Sequence, residues 1–197
     1  MRETAAPFAD SLPETLAWAL GRLAEGTRDR RSPAHSPTLG TIGLDGRPRL
    51  RTVILRGFDE TGHRLRFHTD RRSAKVAELA RDPRVALHVY EQAGKFQMRI
   101  EGVASVHHDD TIANEAWASS RAMSRVCYGT NPAPGTTIRD GGAFSVPSDG
   151  ETEGGRANFA AVVVAMERLE TLYLAFSGHR RAAFRLVGEP SATWLVP

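Results

Sequence analysis

The sequence predicts a mainly β protein of the α+β class, a closed antiparallel barrel with short helices appended. Three observations lead there. Most apolar runs are short and alternate with period two, as half-buried strands do. Successive runs are joined by tight turn signals such as Asp45-Gly46 and Gln92-Ala93-Gly94, which favour hairpins over the long crossovers of a parallel sheet. The helical stretches are few and short, so the strand–helix alternation of a doubly wound fold is missing. At 197 residues, with 41% hydrophobic and 25% charged side chains, the chain suits one globular domain over residues 1–197.

Taken in order, Pro13 to Ala24 places Leu16, Ala17, Leu20, Leu23 and Ala24 at helical spacing. With Ser11 as N-cap and Pro13 in the first turn, a helix is expected over about residues 13–25. Trp18 on it reads as a core or dimer-packing residue. Thr27 to Pro37, with Arg28-Asp29-Arg30-Arg31 and two prolines, reads as a loop. Leu39 to Leu44 and Pro48 to Leu55 flank Asp45-Gly46-Arg47 as a hairpin. Gly57 to Gly62 supplies the next turn, and His63 to His68 alternates polar with apolar as a strand. Ser73 to Arg81 is a short helix stopped at Asp82-Pro83. Arg84 to Glu91 and Lys95 to His107 are strands, with Gly102 as a bend or bulge. Asp109 to Ser120 has helical spacing, and Arg121 to Arg139 contains the loop Asn131-Pro132-Ala133-Pro134-Gly135. The glycine-rich stretch of about 140–156 is expected to be a flexible loop and a candidate lid. Asn158 to Leu169, Thr171 to Phe176, Ala183 to Val187 and Thr193 to Val196 are the closing strands.

Composition excludes several function classes. The apolar runs are too short to span a bilayer, and Met1 to Pro7 lacks an apolar signal core, so a cytoplasmic protein with no membrane partner is expected. Cys127 is the single cysteine; it cannot form an internal disulfide and reads as a packed thiol. The net charge of +3 comes from arginines spread along the chain, with no basic arm or nucleic-acid motif, so no nucleic-acid partner is expected. His107-His108 lacks metal-ligand spacing and reads as a strand-end cap, so no metal is expected. Dinucleotide, P-loop and nucleophile-elbow motifs are missing.

The chemistry concentrates between Arg49 and Lys75. Folding the two strands together brings Arg51, Arg56 and the His68-Thr69 pair near one another, and Ser73 and Lys75 open the following helix. Cationic side chains beside free N–H groups form an anion site, so a phosphate-bearing ligand is expected. Arg64, Arg66 and Arg84 read instead as solvated strand arginines.

Three segments in fixed order carry a family resemblance: Arg51-Thr52-Val53-Ile54-Leu55-Arg56-Gly57-Phe58, Phe67-His68-Thr69-Asp70-x-x-Ser73-x-Lys75, and Phe96-Gln97-Met98-Arg99-Ile100-Glu101-Gly102. The set resembles the pyridoxamine 5′-phosphate oxidase family, especially its FMN-binding relatives. The likeness is strongest over residues 38 to 107 and returns in the terminal Trp194-Leu195-Val196-Pro197. It implies a Greek-key split β-barrel, a homodimer with FMN at the interface, and flavin-dependent oxidation or reduction of a small molecule. It also implies that Arg51 and Lys75, with Ser73, hold the FMN phosphate. Thr52, Val53 and Ile54 line the isoalloxazine, with Arg56, His68, Thr69, Gln97 and Arg181 as further cofactor contacts. Arg56, Arg121, Arg125 and His179 fall at substrate positions, and no side chain falls at a general acid or base.

The sequence also departs from the family. Ala74 stands where an arginine is usual, Arg56 where a lysine binds vitamin phosphate, and His68 where a tyrosine is usual. The usual Tyr-x-x-x-Arg-x-x-x-Ser set becomes Trp117-x-x-x-Arg121-x-x-x-Arg125, and the tryptophan expected before His179 has no equivalent. Ala74 loses one contact to the cofactor phosphate and His68 changes a cofactor position, while the other departures fall in the substrate set, so the resemblance implies FMN binding more directly than vitamin B6 oxidation. Other readings stay open. Gln97 can satisfy a barrel hydrogen bond, Arg121 and Arg125 can be a solvated helix face, and His179 to Arg181 can cap a turn. The whole can be a flavin carrier or sensor, or a split barrel holding deazaflavin or haem.

Overall fold

The structure is a computed structural model that describes residues 6–148 and 151–197. The N-terminal reading on Met1 to Ala5 lies outside the described residues, as do Asp149 and Gly150 of the glycine-rich stretch. Helix α1 (Leu12–Gly26) starts where expected: Ser11 caps it by accepting from the Glu14 N–H, and Pro13 occupies the first turn. It buries Ala19, Leu20 and Leu23 against the barrel. Phe8 stacks on Trp18, which lies 39% exposed with Arg22 over its ring.

Among the described residues nine strands form one antiparallel sheet: β1 (Thr38–Ile42), β2 (Pro48–Thr52), β3 (Leu55–Asp59), β4 (Arg64–Asp70), β5 (Arg84–Glu91), β6 (Phe96–His107), β7 (Phe159–Tyr173), β8 (Arg180–Arg185) and β9 (Ser191–Leu195). The order is β2-β1-β5-β6-β7-β4-β3, with β8 and β9 attached to β7. The apolar faces of β4 to β7 close on a core that includes Phe67, Leu87, Phe96, Met98, Ile100 and Val164. β7 splits the barrel. It pairs with β6 along its length, while its other edge pairs with β4 through Phe159–Ala165 and with β8 through Arg168–Tyr173. The change of partner coincides with a bulge opposite Gly102. A Cβ on Gly102 would sit 2.2 Å from the Ala165 carbonyl oxygen, so only glycine lets the strands approach there.

Three expectations on elements need correction. The run Pro48 to Leu55 is not one strand: the ladders stop at Thr52 and resume at Leu55, leaving Val53 and Ile54 outside both. The Val53 N–H instead donates to Pro37 O, which turns the chain from one barrel edge to the other. The run Asn158 to Phe176 holds one long strand, β7, rather than two, because β6 pairs with it from Ala161 to Tyr173. The β8–β9 hairpin begins earlier than expected, at Arg180.

Three further helices stand outside the barrel: α2 (Ala74–Arg81), α3 (Thr111–Ala118) and α4 (Ala122–Arg125). Asp110 caps α3 through the Ala113 N–H and holds His107 at 2.6 Å, so His107 does close a strand end. Trp117 of α3 packs with Phe159, Ala161 and Tyr128 in a second apolar cluster on the outer face of β7. A paired bridge between Asn131 and Ser145 ties part of the glycine-rich stretch to the preceding loop, and Thr152–Asn158 forms a 3-10 turn. Among the described residues no helix is long and apolar enough to cross a membrane.

Candidate functional site

The β2–β3 break, the outer face of β4, the start of α2 and the α4 segment together enclose a cleft of about 870 Å3. That volume lies in the range of small-molecule and cofactor sites. Arg51, Thr52, Val53, Ile54, Arg56, His68, Lys75 and Arg121 all line it. Thr69 and Ser73 sit just behind: each is buried, and each contacts Lys75 Nζ, at 2.9 and 3.2 Å. Alternation explains the arrangement. On β4, Phe67 points into the core, so Arg66 and His68 point outward.

The two cations at the α2 end are prepared differently. Lys75 has only the neutral hydroxyls of Thr69 and Ser73 as hydrogen-bond partners. Burial lowers its pKa, and the nearby Arg51 lowers it further. An anion here would reverse both penalties. Arg51 is already engaged: it pairs with buried Glu78 at 2.7 Å and bonds the Thr41 hydroxyl. Glu78 thus fixes the guanidinium beside Lys75 without cancelling both charges. A cation hydrogen-bonded to two hydroxyls and to no carboxylate, with Glu78 and Asp70 acting on it only from a distance, suits a phosphate ester, and the Ile54 backbone outside both ladders suits the edge of a flat polar ring. The residues fit FMN.

His68 stands at the centre of the cleft. Its ring packs edge-on against Phe159, 4.9 Å between centroids, and burial, then Arg66, then Arg56, push its pKa down to about 3. It is neutral. Tyr128, which also lines the cleft, has its phenol pushed up to about 12 by burial and stays protonated. Its segment is pinned from below: Arg72, paired with Asp70 at 2.7 Å, donates to Thr130 O, and Asn158 donates to Tyr128 O.

Several expected residues are placed elsewhere. Arg125 does not line the cleft; it pairs with Glu153, donates to the carbonyls of Trp117 and Ala118, and lies over the Trp117 ring. It is a clamp between α3 and the turn before β7. Gln97 faces Leu172, and Arg181 also pairs with Leu172 across β8, at the far end of β7. Thr69 pairs with Ala160 at the near end, so the two groups are twelve residues apart, on the order of 40 Å along an extended strand. Arg181 contacts Glu170 at 2.8 Å, and His179 is exposed in the preceding turn. One chain therefore does not bring Gln97, His179 and Arg181 to Arg51 and Lys75.

Two readings fail outright. Arg66 is not a solvated strand arginine: it is half-buried beside Arg56, and its Nε is buried without a partner. Cys127 is not packed; it is exposed on the cleft wall. Sequence reasoning also missed Arg30, Met123, Ser124 and Tyr128, which reach the cleft from loops and short helices. The one available signal was the arginine cluster Arg28 to Arg31.

Comparison with known proteins identifies the family of the chain. The model of the pyridoxamine 5′-phosphate oxidase FMN-binding domain matches residues 17–108. A pyridoxine/pyridoxamine 5′-phosphate oxidase of Xanthomonas oryzae is 34% identical over 165 residues, covering 81% of this chain and 72% of the relative. The chain belongs to this family. Its matched domain is the FMN-binding one, and FMN is the cofactor. An Arabidopsis thaliana pyridoxine/pyridoxamine 5′-phosphate oxidase is 38% identical over 105 residues, and there the match spans about half of each chain, 50% and 52%. Among solved structures, an FMN-binding protein related to pyridoxamine 5′-phosphate oxidase from Nostoc punctiforme aligns with a TM-score of 0.73 at 26% identity, covering 99% of this chain and 100% of that one. PhzG from Burkholderia lata aligns at 0.72 with 19% identity, covering 100% and 99%, a likeness of fold. The family's split barrel is the barrel divided by β7.

Proposed function

We propose that the protein is an FMN-dependent oxidoreductase acting on an anionic small molecule, and that it works as a homodimer. The observation that carries this reading is the shared cleft. It joins a partly paired Arg51 and a Lys75 lacking a carboxylate to a second group of cations, Arg56 and Arg121. Lys75, Ser73, Thr69 and Arg51 would hold the cofactor phosphate, and Thr52 to Ile54 would lie along the ring edge. When bound, FMN supplies a two-electron redox centre at its ring. Arg56 and Arg121 would orient the substrate's acidic group. His68, held neutral, and Tyr128, held protonated, change no charge near pH 7, so the chain offers no general acid or base there. That supports direct hydride transfer between substrate and cofactor.

The dimer reading rests on the second group. Gln97 and Arg181 stand far from the cleft on one chain, and a two-fold partner would bring its own pair to the cofactor. Arg181 held by Glu170 would then be ready to meet the ring from the facing protomer.

A visible spectrum of the purified protein, followed by release and identification of the chromophore, tests the cofactor assignment. Bound FMN is expected; a colourless chain that takes up no added FMN would overturn it. Sedimentation tests the dimer, and Arg181→Ala is expected to weaken FMN binding without altering Arg51 or Lys75. A second reading, a flavin carrier without turnover, is favoured by the withdrawal of Arg125 from the substrate set. Anaerobic bleaching of the flavin by pyridoxamine phosphate or another anionic reductant would dismiss it.

A further inference from the structure

Beside the cofactor cleft lies a smaller and more enclosed pocket of about 170 Å3. Arg28, Arg30, Arg56, Arg66 and Arg121 line it, and it shares Arg30, Arg56, His68, Arg121 and Ser124 with the larger cleft. Among the described residues none of these five arginine side chains has a hydrogen-bond or ion-pair partner. Several arginines elsewhere are paired, Arg31 with Asp29, Arg72 with Asp70 and Arg84 with Asp82, while Arg64, Arg139 and Arg185 stand singly and exposed, away from the pocket. Like charges gathered around a small space destabilise the chain unless an anion enters it.

The pocket is built rather than incidental. The loop carrying Arg28 and Arg30 is closed at its base by buried His35, whose Nδ1 lies 2.7 Å from Gly26 O. A Cβ on Gly26 would come within 2.5 Å of Ala34, so the helix end and the loop lie in close contact. On the opposite wall two polar atoms are buried without partners, Arg66 Nε and His68 Nε2. Ser120 gives its hydroxyl hydrogen to Ala116 O at 2.7 Å, so the 3.4 Å contact with His68 Nδ1 runs from the imidazole N–H to Ser120 Oγ. Nε2 is therefore a buried lone-pair acceptor on a residue that lines both spaces. The two spaces differ in size: the larger admits rings, the smaller a single carboxylate or phosphoryl group.

We propose that the substrate carries two separate acidic groups, one received by Arg56 and Arg121 in the cleft and the second seated by Arg28, Arg30 and Arg66 in the small pocket. This rests on the oxidoreductase reading for its first group and extends it by the second. The linking portion of such a substrate passes His68, the residue that lines both spaces. Arg28, Arg30 and Arg66 then set specificity: a substrate with one acidic group leaves them uncompensated and binds weakly.

The test is calorimetric titration of the FMN-loaded protein, its cofactor phosphate position filled, with inorganic phosphate and separately with malonate. The His68 imidazole resonance is followed in parallel. Two anion equivalents per chain are expected from at least one of the two probes, and the tighter probe names the second head group as phosphoryl or carboxylate. Arg28→Ala, on an exposed loop where folding is not at stake, and Arg66→Gln should each weaken one equivalent about tenfold or more and leave the other. A single equivalent in the parent, or a second one indifferent to both substitutions, overturns the proposal. Should the protein take up no FMN yet still bind two equivalents sensitive to Arg28 and Arg66, the subsite stands and the flavin reading falls. FMN uptake with one equivalent gives the reverse.

Discussion

The two ends of β7 carry similar positive charge and treat it in opposite ways. Toward Leu172, buried Glu170 gathers Arg181 at 2.8 Å, Arg99 at 3.2 Å and Arg168 at 3.4 Å. Toward Ala161, Arg56, Arg66 and Arg121 surround a cleft without a carboxylate, and His68 among them is held neutral. The first network closes on itself within one chain. The second is complete only when a ligand brings the counter-charge. The number of arginines does not distinguish the two ends; the placement of acidic residues does.

The sharpest way to break this comparison is at the cofactor end. Replacing both Arg51 and Lys75 by alanine should cost about 4 kcal/mol of FMN binding, from two charge-assisted hydrogen bonds of roughly 1.5–3 kcal/mol each. Fluorescence titration would read it as a loss on the order of a thousandfold. An unchanged affinity would mean that the anion site is elsewhere.

His68 gives the next effect. Its pKa of about 3 in the folded chain lies below the ordinary 6.5, so the unfolded chain takes up the proton first as pH falls. Stability is therefore full above pH 6.5 and declines toward pH 3, because Arg66, Arg56 and the Phe159 wall disfavour the imidazolium. His68→Gln should remove this contribution, narrowing the acid-induced loss by about 3 kcal/mol at pH 3, a value discounted for partial solvent access. Urea denaturation of parent and variant at several pH values checks it. Identical pH profiles would show that His68 is freely protonated.

At the closed end, Glu170→Gln should destabilise by about 2 kcal/mol, reduced from the buried-pair range because Arg99 and Arg168 are about half exposed. Thermal melting measures it. The smallest effect belongs to Arg28→Ala, which removes an exposed side chain with no partner and should change ligand-free stability by less than about 0.5 kcal/mol. Melting in anion-free and phosphate buffers sharpens the comparison: the variant should lose part of the phosphate-induced rise and keep its ligand-free melting point.

Elements whose formation depends on local chemistry were legible in the sequence. Ser11 with Pro13 marked the start of α1, Asp45-Gly46 marked the first hairpin, and Gly102 marked the bulge. The strand alternation of Arg84 to Glu91 gave β5 with its full bounds. The ordered segments from Arg51 to Gly102 pointed to the family and to FMN, and Lys75 sits among neutral hydroxyls as an anion site should. Misreadings clustered where a distant partner decides. Leu50 to Leu55 reads as one strand because its β propensity is continuous, and only the Pro37 carbonyl shows why it breaks. Arg125 looks like Arg121 in sequence, four residues away on the same segment, until Glu153 and the end of α3 claim it. Arg66 looks like Arg64 and shares its face of β4, yet the loop carrying Arg28 and Arg30 makes it a pocket wall.

The sequence by itself therefore determined most of the strands and helices, the cap of α1, the first hairpin turn, and the family with its cofactor. Those follow from short-range rules: side-chain period, backbone permissiveness and fixed motif order. Tertiary structure alone decided which charges are compensated. Whether an arginine meets a carboxylate depends on residues remote in the chain that folding brings within about 4 Å, a distance that no local pattern encodes. Glu170 reaches Arg181 across the β7–β8 pair, Glu78 reaches Arg51 from α2, and no described carboxylate pairs with the arginines around His68.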